Sequence, residues 1–112
     1  MRKVEWSKKF EKSYKKCKKR GYNMKLLDDV LLIMGERDFT SQEMQQHKVH
    51  QLSGRNAGFW ELHVTSPSDN WILKYKILGD VLQFDSTEVY LDSTGTHSDV
   101  LGNNAVYDLI WL

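Results

Sequence analysis

Trp6, Phe10, Tyr14 and Cys17 recur at spacings of four, four and three, which places them along one side of a helix. Ser7 is its N-cap candidate and Gly21 its stop. Residues 2–6 alternate weakly and predict a short first strand. Asn23 is the next cap candidate. Met24, Leu26, Leu27, Val30, Leu31, Ile33 and Met34 then predict a second helix with a broad apolar face, ended by Gly35. Two helices on so short a link form a hairpin. From Glu36 to Ser53 the chain is polar and irregular and reads as a long loop, usually a functional or mobile feature in a small domain.

After Gly54 and Gly58 the period changes to two. Trp60, Leu62 and Val64 fall on one face of a strand, while Phe59, Glu61 and His63 fall on the other. A turn over Ser66–Asn70 leads into Trp71–Ile77, apolar on both faces as a central strand requires. Leu78-Gly79-Asp80 marks a tight turn, and between Val81 and Leu91 lies one long strand or two short ones broken at Asp85-Ser86-Thr87. The order β-α-α-β-β-β implies an α+β fold, with the helical hairpin packed on one face of an antiparallel sheet.

The 112 residues suit one domain, large enough to bury a core without disulfides or a structural metal. Cys17 is the only cysteine, which excludes a disulfide framework and a Cys-based zinc finger and suggests a reducing compartment. No apolar run approaches the ~20 residues that span a bilayer, and no apolar signal core follows the first charges. The expectation is a soluble, unprocessed, cytoplasmic protein with no membrane role.

The net charge of +1 hides a segregation. Residues 1–20 carry ten basic and two acidic side chains, and the remainder carries six basic and thirteen acidic. Lys8/Lys12, Lys12/Lys16, Lys15/Lys19 and Lys16/Arg20 sit at i, i+4, where like charges each cost a helix a few tenths of a kcal/mol. An anionic partner would relieve that repulsion.

The four histidines are the candidate chemistry. His47 and His50 precede the C-terminal strands, His63 lies on one, and His97 lies in a glycine-containing loop. With an unperturbed pKa of about 6.5, imidazoles exchange protons near neutrality, and with Asp69 they could form a general acid–base site. His47 and His50, three residues apart, are a conceivable metal pair, but an irregular loop presets no ligand geometry. For His47 alone a structural imidazole is the plainer reading. His63 alternates with Leu62 and Val64, so it faces away from the helices, on the uncovered face of the sheet.

Four patterns occur in order: His50-Gln-Leu-Ser-Gly54, Gly58-Phe-Trp-Glu61-Leu-His63-Val, Asp69-Asn-Trp71-Ile-Leu-Lys-Tyr75-Lys, and Ser93-Thr-Gly-Thr-His97-Ser-Asp-Val-Leu101. Together they resemble the YafQ branch of the RelE-like toxins of bacterial type II toxin–antitoxin modules, from the first strand to Leu101. The resemblance implies a small RelE-like RNase domain over residues 1–101, followed by an apolar extension, 102–112. It further implies a ribosome-dependent mRNA endoribonuclease, an mRNA interferase, that enters the A site and cuts without metal or cofactor. His50, His63, Asp69 and His97 match the family's site positions. Lys8, Lys9, Lys12, Lys15, Lys16, Lys19 and Arg20, with Arg55, are then the residues expected to grip RNA. The implied partners are a cognate antitoxin, in a hetero-oligomer, and the ribosome with its mRNA. This chain has Ser93 and Trp60 where the family commonly carries arginines, and Leu101 where an aromatic residue is typical. Arg55, Lys74 or a protonated His97 are the cations left to stand in. The alternative is a catalytically attenuated member that binds antitoxin and RNA as a regulator. Val106, Leu109, Ile110, Trp111 and Leu112 make the extension apolar enough to pack on the sheet or a partner.

Overall fold

The computed structural model describes residues 2–80 and 85–102. After strand β1 (Lys3–Trp6), Ser7 accepts a hydrogen bond from the Phe10 N–H and starts helix α1 (Lys8–Lys19), which gives way at Gly21 with φ +83°. Helix α2 (Met24–Glu36) follows. Gly35 does not end it. That residue stays helical, and a Cβ there would stand 3.5 Å from the Val4 side chain, so β1 passes directly beneath.

The stretch read as a loop holds more order than expected. Thr40 and Glu43 bond reciprocally as a capping box and start helix α3 (Ser41–Gln46), and His50–Gln51 forms the short strand β2. A 3-10 turn over Gly54–Asn56 leads to β3 (Trp60–His63), then β4 (Ile72–Asp80) and β5 (Asp85–Gly95). The segment Asp85–Leu91 therefore belongs to one long strand. Leu78-Gly79-Asp80 continues β4 through a register irregularity instead of turning. Thr96 and Asp99 form a second capping box, starting α4 (His97–Leu101) where a loop was expected.

The strands lie in the order β1-β5-β4-β3-β2. Neighbours are antiparallel except β1 and β5, which run parallel, so the sheet is mixed. A hairpin would force antiparallel pairing. β1 instead reaches its neighbour through the helices and three other strands, which leaves the parallel arrangement open.

Phe10, Leu27, Val30 and Met34 of α1 and α2 pack on Leu62, Leu73, Tyr75, Val89 and Leu91 of the sheet, as the helical hairpin reading requires. Each fully buried side chain of this kind contributes about 1.5–3 kcal/mol. The opposite face is not uncovered. Leu52, Ile72, Val100 and Leu101 form a second apolar patch there with Phe59, because α4 folds back over the sheet. Among the described residues no helix is long and apolar enough to cross a membrane. The extension beyond residue 102 lies outside the described residues, as does the β4–β5 connection.

Candidate active site

Strand register assembles the site. His50 on β2 pairs directly with Glu61 on β3, and His63, two residues along β3, shares Glu61's face by the alternation of a pleated strand. Across the sheet His63 pairs with Ile72, which pairs with Gly95, and two residues after Gly95 the chain places His97 at the start of α4. Three segments remote in the chain thus deliver three imidazoles to one carboxylate. His50 Nε2 is 3.0 Å from Glu61 Oε2, His63 Nε2 is 3.5 Å from the same oxygen, and His97 Nε2 is 3.4 Å from Oε1.

Each ring is held by its other nitrogen. His50 Nδ1 lies 2.7 Å from the Lys48 carbonyl, His63 Nδ1 2.6 Å from the Asp69 carbonyl, and His97 Nδ1 2.6 Å from Asn70 Oδ1. A carbonyl oxygen only accepts, so each Nδ1 carries the hydrogen and each Nε2 is the atom free to bind or release a proton. Lys48, which supplies the first carbonyl, takes φ +48°, a left-handed turn that aims the chain from α3 into β2. Asn70 also accepts from the His97 N–H at 3.1 Å.

The electrostatics follow from burial and company. The Glu61 side chain is 1% exposed. Burial alone would raise its pKa, but the imidazoles of His50 and His97 outweigh it and hold the carboxyl at about 2. Glu61 in turn raises the pKa of His50. His63 goes the other way: burial favours its neutral form and lowers its pKa, more than the Asp69 carbonyl and Glu61 raise it. The cluster therefore holds imidazoles poised apart, which is what separate acid and base roles need.

Asp69 enters differently from the histidines. Its carboxylate accepts from the Thr65 hydroxyl and the Asn70 N–H, within its own turn, while its backbone carbonyl orients His63. The carboxylate among the imidazoles is Glu61, visible in the sequence only as the residue two before His63. His47 ends α3 and bonds through Nδ1 to the His63 carbonyl at 2.8 Å, a structural role, so it makes no metal pair with His50. Glu61, His63 and His97 do offer three ligand atoms within 4.8 Å of one another, a set that could hold a divalent metal ion.

The basic helix is divided. Lys9 pairs with Asp92 at 3.7 Å, and Lys16 and Arg20 converge on Asp99 at 3.9 and 2.7 Å. Lys8, Lys12, Lys15 and Lys19 form no salt bridge among the described residues. Arg55 lies exposed in the 3-10 turn. Lys74 is buried, donating to Asn56 Oδ1 at 2.7 Å and standing over the Phe59 ring. Trp60 packs on the helix side of the sheet, so an arginine at that position would face away from the imidazoles. Leu101 belongs to the second apolar patch, and Ser93 is buried on β5 with its hydroxyl donating to Asp92.

Residues 2–102 match the family of the bacterial toxin of type II toxin–antitoxin systems, YafQ. The chain is similar to the crystal structure of YafQ from E. coli strain BL21(DE3), with 27% identity and a TM-score of 0.73 over 91% of this chain and 100% of that one. It is similar to the toxin of the E. coli DinJ–YafQ toxin–antitoxin complex, with 28% identity and a TM-score of 0.69 over 90% of this chain and 98% of that one. A metal-bound toxin from Helicobacter pylori is 31% identical, with a TM-score of 0.67 over 89% of this chain and 99% of that one. No curated protein matches significantly.

Proposed function

Because this chain belongs to the YafQ family of bacterial toxins of type II toxin–antitoxin systems, we propose that it is a ribosome-dependent mRNA endoribonuclease that cuts by attack of the RNA's own 2′-hydroxyl. One observation carries the reading. Three imidazole Nε2 atoms surround a single buried carboxylate, each ring locked through Nδ1.

The reaction needs a base for the 2′-hydroxyl proton, an acid for the departing 5′-oxygen, and positive charge beside the phosphorane. His50 and His97 are the more exposed of the three rings, at 28% and 24%, and flank the 6% exposed His63. In this mechanism His97 Nε2 takes the 2′-hydroxyl proton and O2′ attacks phosphorus. The P–O5′ bond breaks, and His50, kept protonated by Glu61, gives its proton to O5′. The products are a 2′,3′-cyclic phosphate and a 5′-hydroxyl. Glu61 balances the imidazolium formed at His97. Neutral His63 stands between the two outer rings, and Asp69 positions it through its backbone carbonyl. No step in this sequence calls on a metal ion.

Lys8, Lys12, Lys15 and Lys19 supply contacts to rRNA and mRNA phosphates, with Arg55 of the exposed 3-10 turn. Lys9, Lys16 and Arg20 brace α1 against the sheet and α4 and contribute the wider basic field. The partner in the resting cell is a cognate antitoxin, as the E. coli relative has in DinJ, and the setting is the bacterial cytoplasm. Induced expression in a bacterium tests the reading. Growth stops and mRNA acquires cuts on translating ribosomes, and both effects vanish with His63→Ala or His97→Ala. Continued growth with intact transcripts overturns it.

A further inference from the structure

The helix that carries His97 is too short to hold itself. α4 has five residues, and isolated helices below about 12–15 residues are marginal in water. Val100 and Leu101 anchor its C-terminal end in the second apolar patch. Its N-terminal end, where His97 sits, is held by polar contacts. Thr96 Oγ1 accepts from the Asp99 N–H at 3.1 Å, and Asp99 Oδ2 accepts from the Thr96 N–H at 3.2 Å. That same oxygen accepts from Arg20 Nη1 at 2.7 Å, and Lys16 Nζ stands 3.9 Å from Oδ1. Gly95 ends β5 close by, where a Cβ would come within 3.0 Å of Asp99 Oδ2. One carboxylate thus joins the end of β5, the start of α4 and the C-terminal end of α1. A cleft of about 230 Å³ opens beside it, lined by Lys16, Cys17 and Arg20 of the α1 side and by Ser93, Thr94 and Asp99 opposite. Where a cleft intervenes, charged side chains and not close packing span the gap. Arg20 makes the shortest of these links, and its guanidinium holds the Asp99 carboxyl below the ordinary carboxylate range.

We propose that Arg20 is a positioning residue for His97 that acts through Asp99, resting on the nuclease reading above for what His97 does. The guanidinium fixes the carboxylate that closes the capping box, and the capping box fixes the turn that aims the imidazole at Glu61. Three observations set Arg20 apart from the lysines grouped with it in the sequence. Lys8, Lys12, Lys15 and Lys19 form no salt bridge among the described residues, whereas Arg20 bonds a carboxylate 79 residues away in the chain. A guanidinium donates within a rigid plane, so it sets direction as well as charge. Asp99 Oδ2 is shared between Arg20 and the Thr96 N–H, so any drift of the carboxylate is passed to the residue that precedes His97. His97 Nε2 lies 3.4 Å from Glu61 Oε1, and a displacement of about 1 Å in a reacting group costs on the order of a hundredfold in rate.

The test compares Arg20→Gln, Arg20→Lys, Asp99→Asn and the double variant Arg20→Gln/Asp99→Asn in the full chain. Asp99→Asn keeps an acceptor for the Thr96 N–H and removes the charge that Arg20 holds. On ribosome-bound mRNA, Arg20→Gln lowers kcat by about tenfold or more, with KM and the salt dependence of ribosome binding as in wild type. Arg20→Lys, which keeps the charge and loses the planar fork, falls between the two. Asp99→Asn loses a similar factor, and the double variant is no slower than the worse single one, because both changes cut one link. In the free chain, the ring nitrogen resonances of His97 move in Arg20→Gln while those of His50 stay near their wild-type positions. A raised KM or a flattened salt dependence at wild-type kcat makes Arg20 an RNA contact and overturns the proposal. So do losses that multiply in the double variant, or a lower melting temperature with kcat and the His97 resonances unchanged. Where Arg20→Gln does not fold, Arg20→Lys is read by the same criteria. If the wild-type chain cleaves no mRNA, the nuclease reading fails, and the His97 resonances alone decide the tether: unmoved in Arg20→Gln, they overturn it.

Discussion

Glu61→Gln keeps the size and shape of the buried side chain and removes its charge. The effect can be sized from the carboxyl itself, which the histidines hold at about 2 against an ordinary 4.5 despite a burial that pushes upward. At 1.36 kcal/mol per unit, that net depression sets a lower bound of about 3 kcal/mol on the coupling between the carboxylate and the imidazoles, since burial works against it. If the charge on His97 in the transition state and on His50 in the resting state both depend on this coupling, its loss lowers the cleavage rate by about a hundredfold. The pH profile adds a readout that simple misfolding does not reproduce. Glu61 raises the pKa of His50, so without it the acid is lost at lower pH and the alkaline limb of the profile moves down. Single-turnover cleavage of mRNA on programmed ribosomes, followed across the neutral range, measures both. A Glu61→Gln enzyme with near wild-type rate and an unmoved alkaline limb would refute the reasoning, because the carboxylate would then be a bystander among the rings.

Stability carries the same signature with its signs fixed by linkage. The Glu61 contribution is present above about pH 4.5 and lost as pH falls toward 2, whereas that of His50, whose folded pKa is raised, is present below about 6.5 and lost as pH rises through the raised value. Thermal unfolding of wild type against Glu61→Gln should therefore show its largest gap at about pH 5 to 6, and a gap that grows steadily above neutrality would contradict the pairing. Gly95 sits at φ +144°, and a Cβ there would stand 3.0 Å from Asp99 Oδ2 and 3.1 Å from Asp99 Cβ. Gly95→Ala should cost more than about 1 kcal/mol and reduce cleavage through His97, while antitoxin affinity measured by calorimetry stays unchanged. Replacing Lys8, Lys12 and Lys19 by Ala should each lower the salt dependence of ribosome binding by roughly 0.7–0.9 in log–log slope, whereas Lys9→Ala, which breaks the pair with Asp92, should mainly lower the melting temperature. Chelation with EDTA should leave cleavage intact and added zinc or copper should inhibit by occupying Glu61, His63 and His97. Activity that dies in EDTA and returns with metal would overturn the metal-free mechanism.

The helices and central strands were legible because their periods are strong and local. Trp6, Phe10, Tyr14 and Cys17 mark one helix face whatever the rest of the chain does, and Leu62 and Leu73 pair across β3 and β4 as alternation demands. The two short helices were missed although each carries its own start signal, Thr40 with Glu43 and Thr96 with Asp99, because neither has enough apolar residues to show a period. The parallel pairing of β1 with β5 was out of reach for another reason. It depends on which strand edge the N-terminus meets after folding, and no local pattern encodes that.

The site divides along the same line. An imidazole draws notice by its chemistry wherever it falls, so His50, His63 and His97 could be named without coordinates. A carboxylate among fifteen acidic residues cannot be singled out until its environment is known, and the choice between Asp69 and Glu61 is a choice of environments. Asp69 stands in a turn, where an aspartate most readily bonds its own backbone, and it does so with the Asn70 N–H. Glu61 stands inside a strand on the face of His63 and directly across from His50, where its buried carboxylate meets the rings of His50, His63 and His97. A buried acid on a strand, with one histidine two residues along and another in register on the adjacent strand, places three ionisable groups within contact through sheet geometry alone. His97 then needs only a strand end and a helix start to join them. The turn residues Asp69 and Asn70 complete the arrangement by fixing the Nδ1 side of two rings, so a substitution of Asn70 that removes its carbonyl should disturb His97 as surely as a change at Gly95.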